Sequence, residues 1–228
     1  MNIVFIAGMP GAGKSFVARK VAQMFLEMTG TLTELIGTDS LREILRQNDI
    51  YKNEPTLHVT SSETGQFAPP EVKDKNIWGL QRQAEIVVAG GVSGVLRRCI
   101  SNNKNVVMEG IHLIPSIIQQ NLFHHIEECR SNNEVHLVTA VITVDNVTQH
   151  ILQLQEQNRA STTQKLANID KIREMQDYLL SETQQAHNCI VIENTRNTRQ
   201  IAEQIITRCL ADNYFVRNKN NPIGGQIR

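Results

Sequence analysis

The sequence lacks the features that mark several large classes of protein. No apolar run approaches the roughly 20 residues with which an α-helix crosses a bilayer, so no membrane span is expected. Lys and Arg total 23, as do Asp and Glu, which leaves a formal net charge of zero. Nucleic-acid coats and membrane-surface binders rely on a positive field and are not expected. No basic segment precedes the first apolar run, which predicts a cytoplasmic protein without a signal peptide.

The sequence also lacks a C-x-x-C pair. Its four cysteines are widely scattered, at Cys99, Cys129, Cys189 and Cys209. This spacing is typical of buried thiols in a reducing compartment and not of zinc ligands or disulfides. Metal binding through cysteine is therefore not expected.

The strongest motif lies near the start of the chain. Residues 8–15 fit G-x-x-x-x-G-K-[ST], between an apolar strand-like run at 2–7 and helix-like spacing at 16–28. This is the context of a P-loop, whose backbone N–H groups converge on phosphate at the positive end of a helix dipole. We expect Lys14 to reach the β- and γ-phosphates of ATP and Ser15 to be a Mg²⁺ ligand. The residues predicted to bind the nucleotide are Gly8, Gly11, Ala12, Gly13, Lys14, Ser15 and Phe16.

Apolar strand-like segments alternate with amphipathic helix-like segments along most of the chain. The predicted strands are 3–7, 32–36, 105–108, 135–144 and 190–192. The predicted helices are 15–28, 40–48, 81–101, 116–130, 169–186 and 197–210. The alternation predicts an α/β fold, P-loop NTPase-like, with a parallel sheet covered by helices on both faces. Ligands of such sheets collect at the carboxyl ends of the strands.

The domain organisation follows from composition. We expect one domain over residues 1–212, with two long polar stretches inside it. Residues 51–78 are the natural place for an acceptor-binding insertion, and residues 149–168 for a lid over phosphate. Residues 213–228 are expected to form a flexible tail, with a binding arm as the alternative.

Two carboxylates are placed where strands are predicted to end. Ser40 and Glu43 fit an S-x-x-E capping box, which leaves Asp39 free to accept a proton from an acceptor hydroxyl; alternatively, Asp39 is itself the helix cap. Glu109 ends an apolar run, as in a Walker B motif, and would hold Mg²⁺ or orient the nucleophile. Arg42 in the first turn would oppose the helix dipole unless it binds an anionic ligand.

Further cations are expected to neutralise the transferred phosphoryl group. Arg159 and Lys165 in the predicted lid are the first candidates, and Arg159 is assigned a catalytic role. The other candidates are Arg97, Arg98 and Arg173, each with solvation as the alternative. His112 is either a substrate contact or a structural histidine.

Several stretches together resemble the 2-phosphoglycerate kinase family. They are the P-loop, I-G-T-D-S at 36–40, L-H-V-T-S-S at 57–62, G-L-Q-R-Q at 79–83, E-G-I-H-L-I-P at 109–115 and I-R-E-M-Q-D-Y-L at 172–179. The resemblance implies a P-loop kinase that transfers phosphate from ATP to the 3-hydroxyl of 2-phosphoglycerate. It implies an acceptor side formed by Asp39, Arg42, Ser61, Ser62, Gln83 and Glu109. Glu63 stands where the family usually has Tyr, which predicts a negative charge beside the substrate.

The sequence therefore predicts an ATP- and Mg²⁺-dependent kinase acting on a small hydroxylated, phosphorylated metabolite. One alternative is a zeta-toxin-like or polynucleotide-type kinase acting on a nucleotide sugar or a nucleic-acid end. A second is a non-catalytic regulatory protein that uses its P-loop as a switch. Asp39 is the first candidate for the base, with Glu109 as the alternative.

Overall fold

A parallel β-sheet forms the centre of the part of the chain that the computed structural model describes, residues 1–128, 135–157, 161–184, 186 and 188–211. Within these residues the strands are β1 (Asn2–Gly8), β2 (Thr33–Gly37), β3 (Asn105–Gly110), β4 (His136–Thr143) and β5 (Cys189–Glu193). Their order across the sheet is β2-β3-β1-β4-β5, and every pair is parallel. The predicted α/β fold class is confirmed.

Helices cover both faces of this sheet. They are α1 (Lys14–Thr29), α2 (Thr38–Arg46), α3 (Lys75–Val87), α4 (Ser93–Ser101), α5 (Pro115–Glu128), α6 (Val147–Glu156), α7 (Thr162–Ala167), α8 (Ile169–Thr183) and α9 (Thr198–Leu210). Two short 3₁₀ turns, Pro55–His58 and Thr64–Phe67, lie in the segment between α2 and α3. A π-helical turn, Val88–Val92, joins α3 to α4.

The central position of β1 explains its sequence. All seven residues of β1 are buried, because β3 and β4 flank it and helices cover both of its faces. A strand in this position reads as a continuous apolar run and not as an alternating one. Phe5 packs into the core on one face of the sheet, with residues of α3, α4, α5 and α8. Val4 and Ile6 pack into the core on the other face, with α1 and α9.

The largest differences between the predicted helices and the structure lie in two places. The predicted helix at 81–101 begins six residues earlier, at Lys75, and the π-helical turn divides it. Residues 149–168 were expected to be irregular, but their described part lies largely in α6 and α7. The sequence did not indicate α6 and α7 because it is polar and glutamine-rich there, and neither helix presents a long apolar stripe to the core.

Two further sequence expectations concern the cysteines and the C-terminal tail. Cys99 and Cys209 are buried thiols and Cys189 is half-buried, while Cys129 lies outside the described residues. Residues 213–228, the predicted tail, also lie outside them. No helix in the described part of the chain has the length and apolar character needed to cross a membrane.

The core predicts a large stability effect at Phe5. Phe5→Ala should lower the free energy of unfolding by about 3–5 kcal/mol, because it empties a fully buried position on β1. Phe16→Ala is the matched control, since Phe16 is 63% exposed and its loss should cost no more than about 0.5 kcal/mol. Urea unfolding of both variants checks this. Similar losses in the two variants would contradict the burial described for β1.

Candidate active site

The P-loop joins the carboxyl end of β1 to the first turn of α1. Gly13 is the N-cap residue of α1, with a φ of 82° that favours glycine, and no side chain caps the helix. The first turn of α1 also contains no acidic residue. The first backbone N–H groups of the helix are therefore available to an anion at the positive end of its dipole.

Two residues that the sequence analysis missed hold the P-loop from behind. Asn194 follows β5 and donates from Nδ2 to the carbonyl of Ala12 at 2.9 Å. A Cβ added at Gly13 would lie 2.4 Å from that amide nitrogen, so the contact requires glycine. His150 on α6 donates from Nε2 to the carbonyl of Pro10 at 2.7 Å. The sequence offered a signal for Asn194 alone, which is a polar residue directly after β5, at the edge of the sheet where ligands collect.

Ser15 and Glu109 meet beside the P-loop. The Ser15 hydroxyl donates to Oε1 of Glu109 at 2.9 Å, although the two residues are 94 positions apart. The parallel pairing of β1 with β3 places Ile6 opposite Glu109 and so brings the carboxylate to the P-loop. A hydroxyl and a carboxylate are hard oxygen ligands of the kind that Mg²⁺ prefers. The donor set therefore fits the predicted metal.

Asp39 opens into the same cleft from the first turn of α2. The predicted capping box is wrong, because the helix begins at Thr38 with Gly37 as its N-cap, and Glu43 instead pairs with Arg46 at 2.6 Å. Asp39 is therefore not the cap. It lies at the N-terminal end of the helix, where the dipole favours a carboxylate.

The charges around Asp39 keep it ionised. Desolvation in the cleft acts to raise the pKa of Asp39. Attraction to Lys14 lowers it, as does attraction to His112 when that ring is protonated. Arg42 and Lys165 act in the same direction, and the net pKa lies below its ordinary value. Asp39 is thus a carboxylate at neutral pH and able to accept a proton.

One cleft of about 620 Å³ joins the P-loop to Asp39 and to the segment between α2 and α3. The basic side chains that line it are Lys14, Arg19, Arg42 and Lys165, and its carboxylates are Asp39 and Glu109. Thr60, Ser61 and Ser62 add hydroxyl groups to the wall, while Gln157 and Ser161 line it between α6 and α7. The cleft is therefore cationic in a chain of zero net charge, which suits an anionic ligand.

The cations predicted from sequence have different positions. Arg42 lies in the second turn of α2 and not in the first, and it donates from Nη1 to the carbonyl of Val59 at 3.2 Å. Its buried Nε has no hydrogen-bond partner within the described residues. Arg173 donates to the carbonyls of Val144 and Asp145 after β4, and it does not line the cleft.

The remaining predicted cations fall into three groups. Lys165 on α7 lines the cleft. Arg98 on α4 lies near Glu34 in β2. Neither Arg97 nor Arg98 lines the cleft. Arg159 lies outside the described residues. Arg19, which the sequence analysis missed, lines the cleft one turn after the P-loop.

Gln83 was expected to contact substrate, and His112 either to contact it or to be a structural histidine. Both residues are fully buried and neither lines the cleft. The His112 ring bonds Thr38 through Nδ1 at 2.8 Å and Gln83 through Nε2 at 2.9 Å. Burial is the largest cause of a lowered pKa of His112, about 4, although Asp39 acts to raise it. His112 is therefore neutral at physiological pH, with both ring nitrogens bonded.

Glu63 does not line the cleft, although it bonds a residue that does. Its Oε2 accepts from the Thr60 hydroxyl at 2.8 Å, and its Oε1 accepts from Nε2 of Gln164 on α7 at 2.5 Å. Although partial burial acts to raise the pKa of Glu63, these hydrogen bonds lower it below its ordinary value. The negative charge that the sequence predicted beside the substrate is thus hydrogen-bonded to Thr60 and Gln164, and Glu63 itself is not part of the cleft lining.

Curated proteins resemble the chain over most of its length. The 2-phosphoglycerate kinase of Methanocaldococcus jannaschii is 27% identical over 211 residues, which cover 91% of this chain and 62% of the relative. That of Thermococcus kodakarensis is 27% identical over 210 residues, covering 92% and 65%. The predicted resemblance is confirmed. The chain spans just under two thirds of the length of these two 2-phosphoglycerate kinases.

No family model matches the chain. Among solved structures, a shikimate kinase from Acinetobacter baumannii in complex with shikimate has a TM-score of 0.47 at 19% identity, covering 93% of this chain and 94% of that one. TT1252 from Thermus thermophilus has a TM-score of 0.49 at 19% identity, covering 92% and 96%.

The buried histidine predicts acid sensitivity. As the pH falls from about 6.5 towards 4, the unfolded chain binds a proton at His112 that the folded chain does not. Stability should therefore decrease by about 1.4 kcal/mol per pH unit from this group in that window. His112→Asn should remove this part of the slope.

Urea unfolding at several pH values between 4.5 and 7.5 measures the slope. His58→Asn is the matched control, because His58 is an exposed histidine on the first 3₁₀ turn, and its slope should follow that of the unsubstituted protein. Equal slopes in the His112 variant and the unsubstituted protein would show that His112 is not held neutral.

Proposed function

We propose that this protein is an ATP-dependent kinase that phosphorylates a hydroxyl group of a small anionic metabolite, with 2-phosphoglycerate as the first acceptor to test. The main support is the single cleft in which a P-loop, the Ser15–Glu109 pair and the ionised Asp39 face one another. The similarity to 2-phosphoglycerate kinases supports the same reaction class.

The P-loop side would bind the nucleotide. Lys14 and the first N–H groups of α1 would hold the β- and γ-phosphates of ATP. Ser15 and Glu109 would hold Mg²⁺, which supplies positive charge against the phosphates. Phe16, which is largely exposed on α1, lines the cleft beside them.

The opposite wall would bind the acceptor. An acceptor with a carboxylate and a phosphate needs cations and hydroxyl donors, and this wall offers Arg42, Ser61 and Ser62. The positive charge of Arg42 suits an anionic oxygen of the acceptor. Lys165 would neutralise charge on the transferred group from the α7 side.

Transfer itself requires one proton acceptor. A bond would form between the acceptor hydroxyl oxygen and the γ-phosphorus as the bond to the β-phosphate oxygen of ATP breaks, and ADP would leave. The hydroxyl proton would pass to the Asp39 carboxylate. Glu109 is less suited to this role because it already accepts the hydrogen bond of Ser15.

We propose that residues 1–212 form one domain with two insertions, one that binds the acceptor and one that covers the phosphates. The acceptor-binding insertion (51–78) would carry Thr60, Ser61 and Ser62, and the lid (149–168) would carry Lys165. The Glu63–Gln164 hydrogen bond joins them. This hydrogen bond supports a cleft in which the acceptor-binding insertion and the lid move together when the cleft closes.

The first experiment measures ATP-to-ADP conversion with Mg²⁺, alone and with a panel of acceptors, and identifies products by mass. We expect ADP release that depends on 2-phosphoglycerate and yields a bisphosphoglycerate. Lys14→Ala should abolish it, whereas Lys20→Ala, on the same helix but outside the cleft lining, should not.

The other outcomes of the panel reassign the function. Phosphate transfer to a nucleotide sugar or to an oligonucleotide with a free 5′-hydroxyl, but not to 2-phosphoglycerate, would favour the alternative kinase types. Turnover that rises only with a protein partner would favour a regulatory switch. Full activity in Lys14→Ala would contradict the P-loop assignment.

A second experiment tests the base. Asp39→Asn should lower kcat at least ~100-fold and leave the KM for ATP nearly unchanged, because it removes the proton acceptor and keeps the shape of the side chain. Asp49→Asn is the matched control, since Asp49 is an exposed partner of Lys52 outside the cleft lining. An unchanged kcat in Asp39→Asn would transfer the role to Glu109 or to no side chain.

A further inference from the structure

A line of buried hydrogen bonds runs behind the acceptor wall and connects segments that are distant in sequence. We call Thr38, His112, Gln83 and Ser61 the polar bridge. Thr38 bonds His112 at 2.8 Å, His112 bonds Gln83 at 2.9 Å, and Ser61 bonds Gln83 at 2.6 Å. All four residues are buried, and three of them have no exposed surface.

The direction of each bond in the polar bridge is fixed by Gln83. Its Nε2 donates to the carbonyls of Thr56 and Val59, so its Oε1 must accept. That oxygen receives the Ser61 hydroxyl and the Nε2–H of His112. The His112 ring is then left with an Nδ1 lone pair, which accepts the hydroxyl of Thr38. One neutral tautomer satisfies the whole line.

The ends of the polar bridge adjoin the groups assigned to the chemistry. Thr38 directly precedes Asp39 at the start of α2, and Ser61 lines the cleft. Thr38 also lies against Gly110, the residue after Glu109. A Cβ at Gly110 would come within 1.7 Å of the Thr38 hydroxyl, so only glycine admits this approach.

We propose that His112 is a positioning residue that sets the distance between the proposed base Asp39 and the acceptor-binding serines. This proposal rests on the proposed kinase function. Nδ1 of His112 holds the start of α2 and thereby Asp39. Nε2 holds Gln83 and thereby Ser61. Displacement of a reacting group by about 1 Å can lower the rate ~100-fold. Loss of the Nδ1 bond and loss of the Nε2 bond should therefore have different effects on the kinetics.

Two substitutions separate the two sides of the ring. His112→Asn keeps an acceptor near the Nδ1 position but loses the donor to Gln83. It should raise the KM for the acceptor about 10-fold with little change in kcat. His112→Gln offers a donor near the Nε2 position but loses the bond to Thr38. It should lower kcat about 10-fold with a smaller change in KM. The KM for ATP should stay unchanged in both.

Thr38 supplies a test that leaves the histidine in place. Thr38→Val removes the hydroxyl with little change of shape and should reproduce the fall in kcat of His112→Gln. Thr38→Ser keeps the hydroxyl and should restore kcat. If the His112 variants do not fold, this pair alone decides the proposal.

A merely structural role gives a different result. Ile205→Ala empties a fully buried position on α9, away from the cleft lining, and serves as the control for destabilisation. If the His112 and Thr38 variants lose stability as this control does but show no division between KM and kcat, the positioning role is overturned. If the unsubstituted protein transfers phosphate to no acceptor, the proposed function fails first and the positioning role fails with it.

Discussion

The parallel pairing of β1 with β3 is the contact on which the site depends. It places Ile6 opposite Glu109, while β2 places Gly37 opposite the same residue on the other side. The P-loop, the start of α2 and the Glu109 carboxylate therefore emerge at one edge of the sheet. A one-residue shift in this pairing would move every side chain of β1 to the opposite face of the sheet, into a core packed around different residues.

Charge is distributed so that a neutral protein presents a cationic cleft. The cleft lining contains twice as many basic side chains as carboxylates, while the whole chain has equal numbers of each. Two features limit negative charge there. Glu63 does not line the cleft, although Thr60, which it bonds, does. The nearby cations Lys14, Arg42 and Lys165 offset the charge of the ionised Asp39. The carboxylates of the cleft lining are then the proposed base Asp39 and the proposed metal ligand Glu109.

The acceptor wall is rigid because its supporting polar groups are buried and satisfied. A buried amide or imidazole without partners costs several kcal/mol, so Gln83 and His112 have little freedom to move once bonded. On the other side, Asn194 and His150 donate hydrogen bonds to carbonyl groups of the P-loop. Both sides of the cleft are thus held from behind by side chains that do not line it.

The sequence alone determined the features that local patterns encode. The G-x-x-x-x-G-K-[ST] spacing identified the P-loop, apolar runs identified the strands to within about two residues, and a carboxylate after an apolar run identified Glu109. These signals work because a buried strand and a glycine-rich turn each require particular residues at adjacent positions.

Only the tertiary structure decided which side chains face the cleft. Gln83 was predicted to contact substrate, and the sequence left His112 open between a substrate contact and a structural histidine. Both are buried behind the cleft and bonded to partners 22 to 74 residues away. Asn194 and His150 belong to no sequence motif. The predicted capping box at Ser40 was wrong because α2 begins directly after β2, at Thr38, two residues earlier than predicted. Hydrogen bonds between distant segments leave no periodic trace in the sequence, so the orientation of these polar side chains was fixed by packing alone.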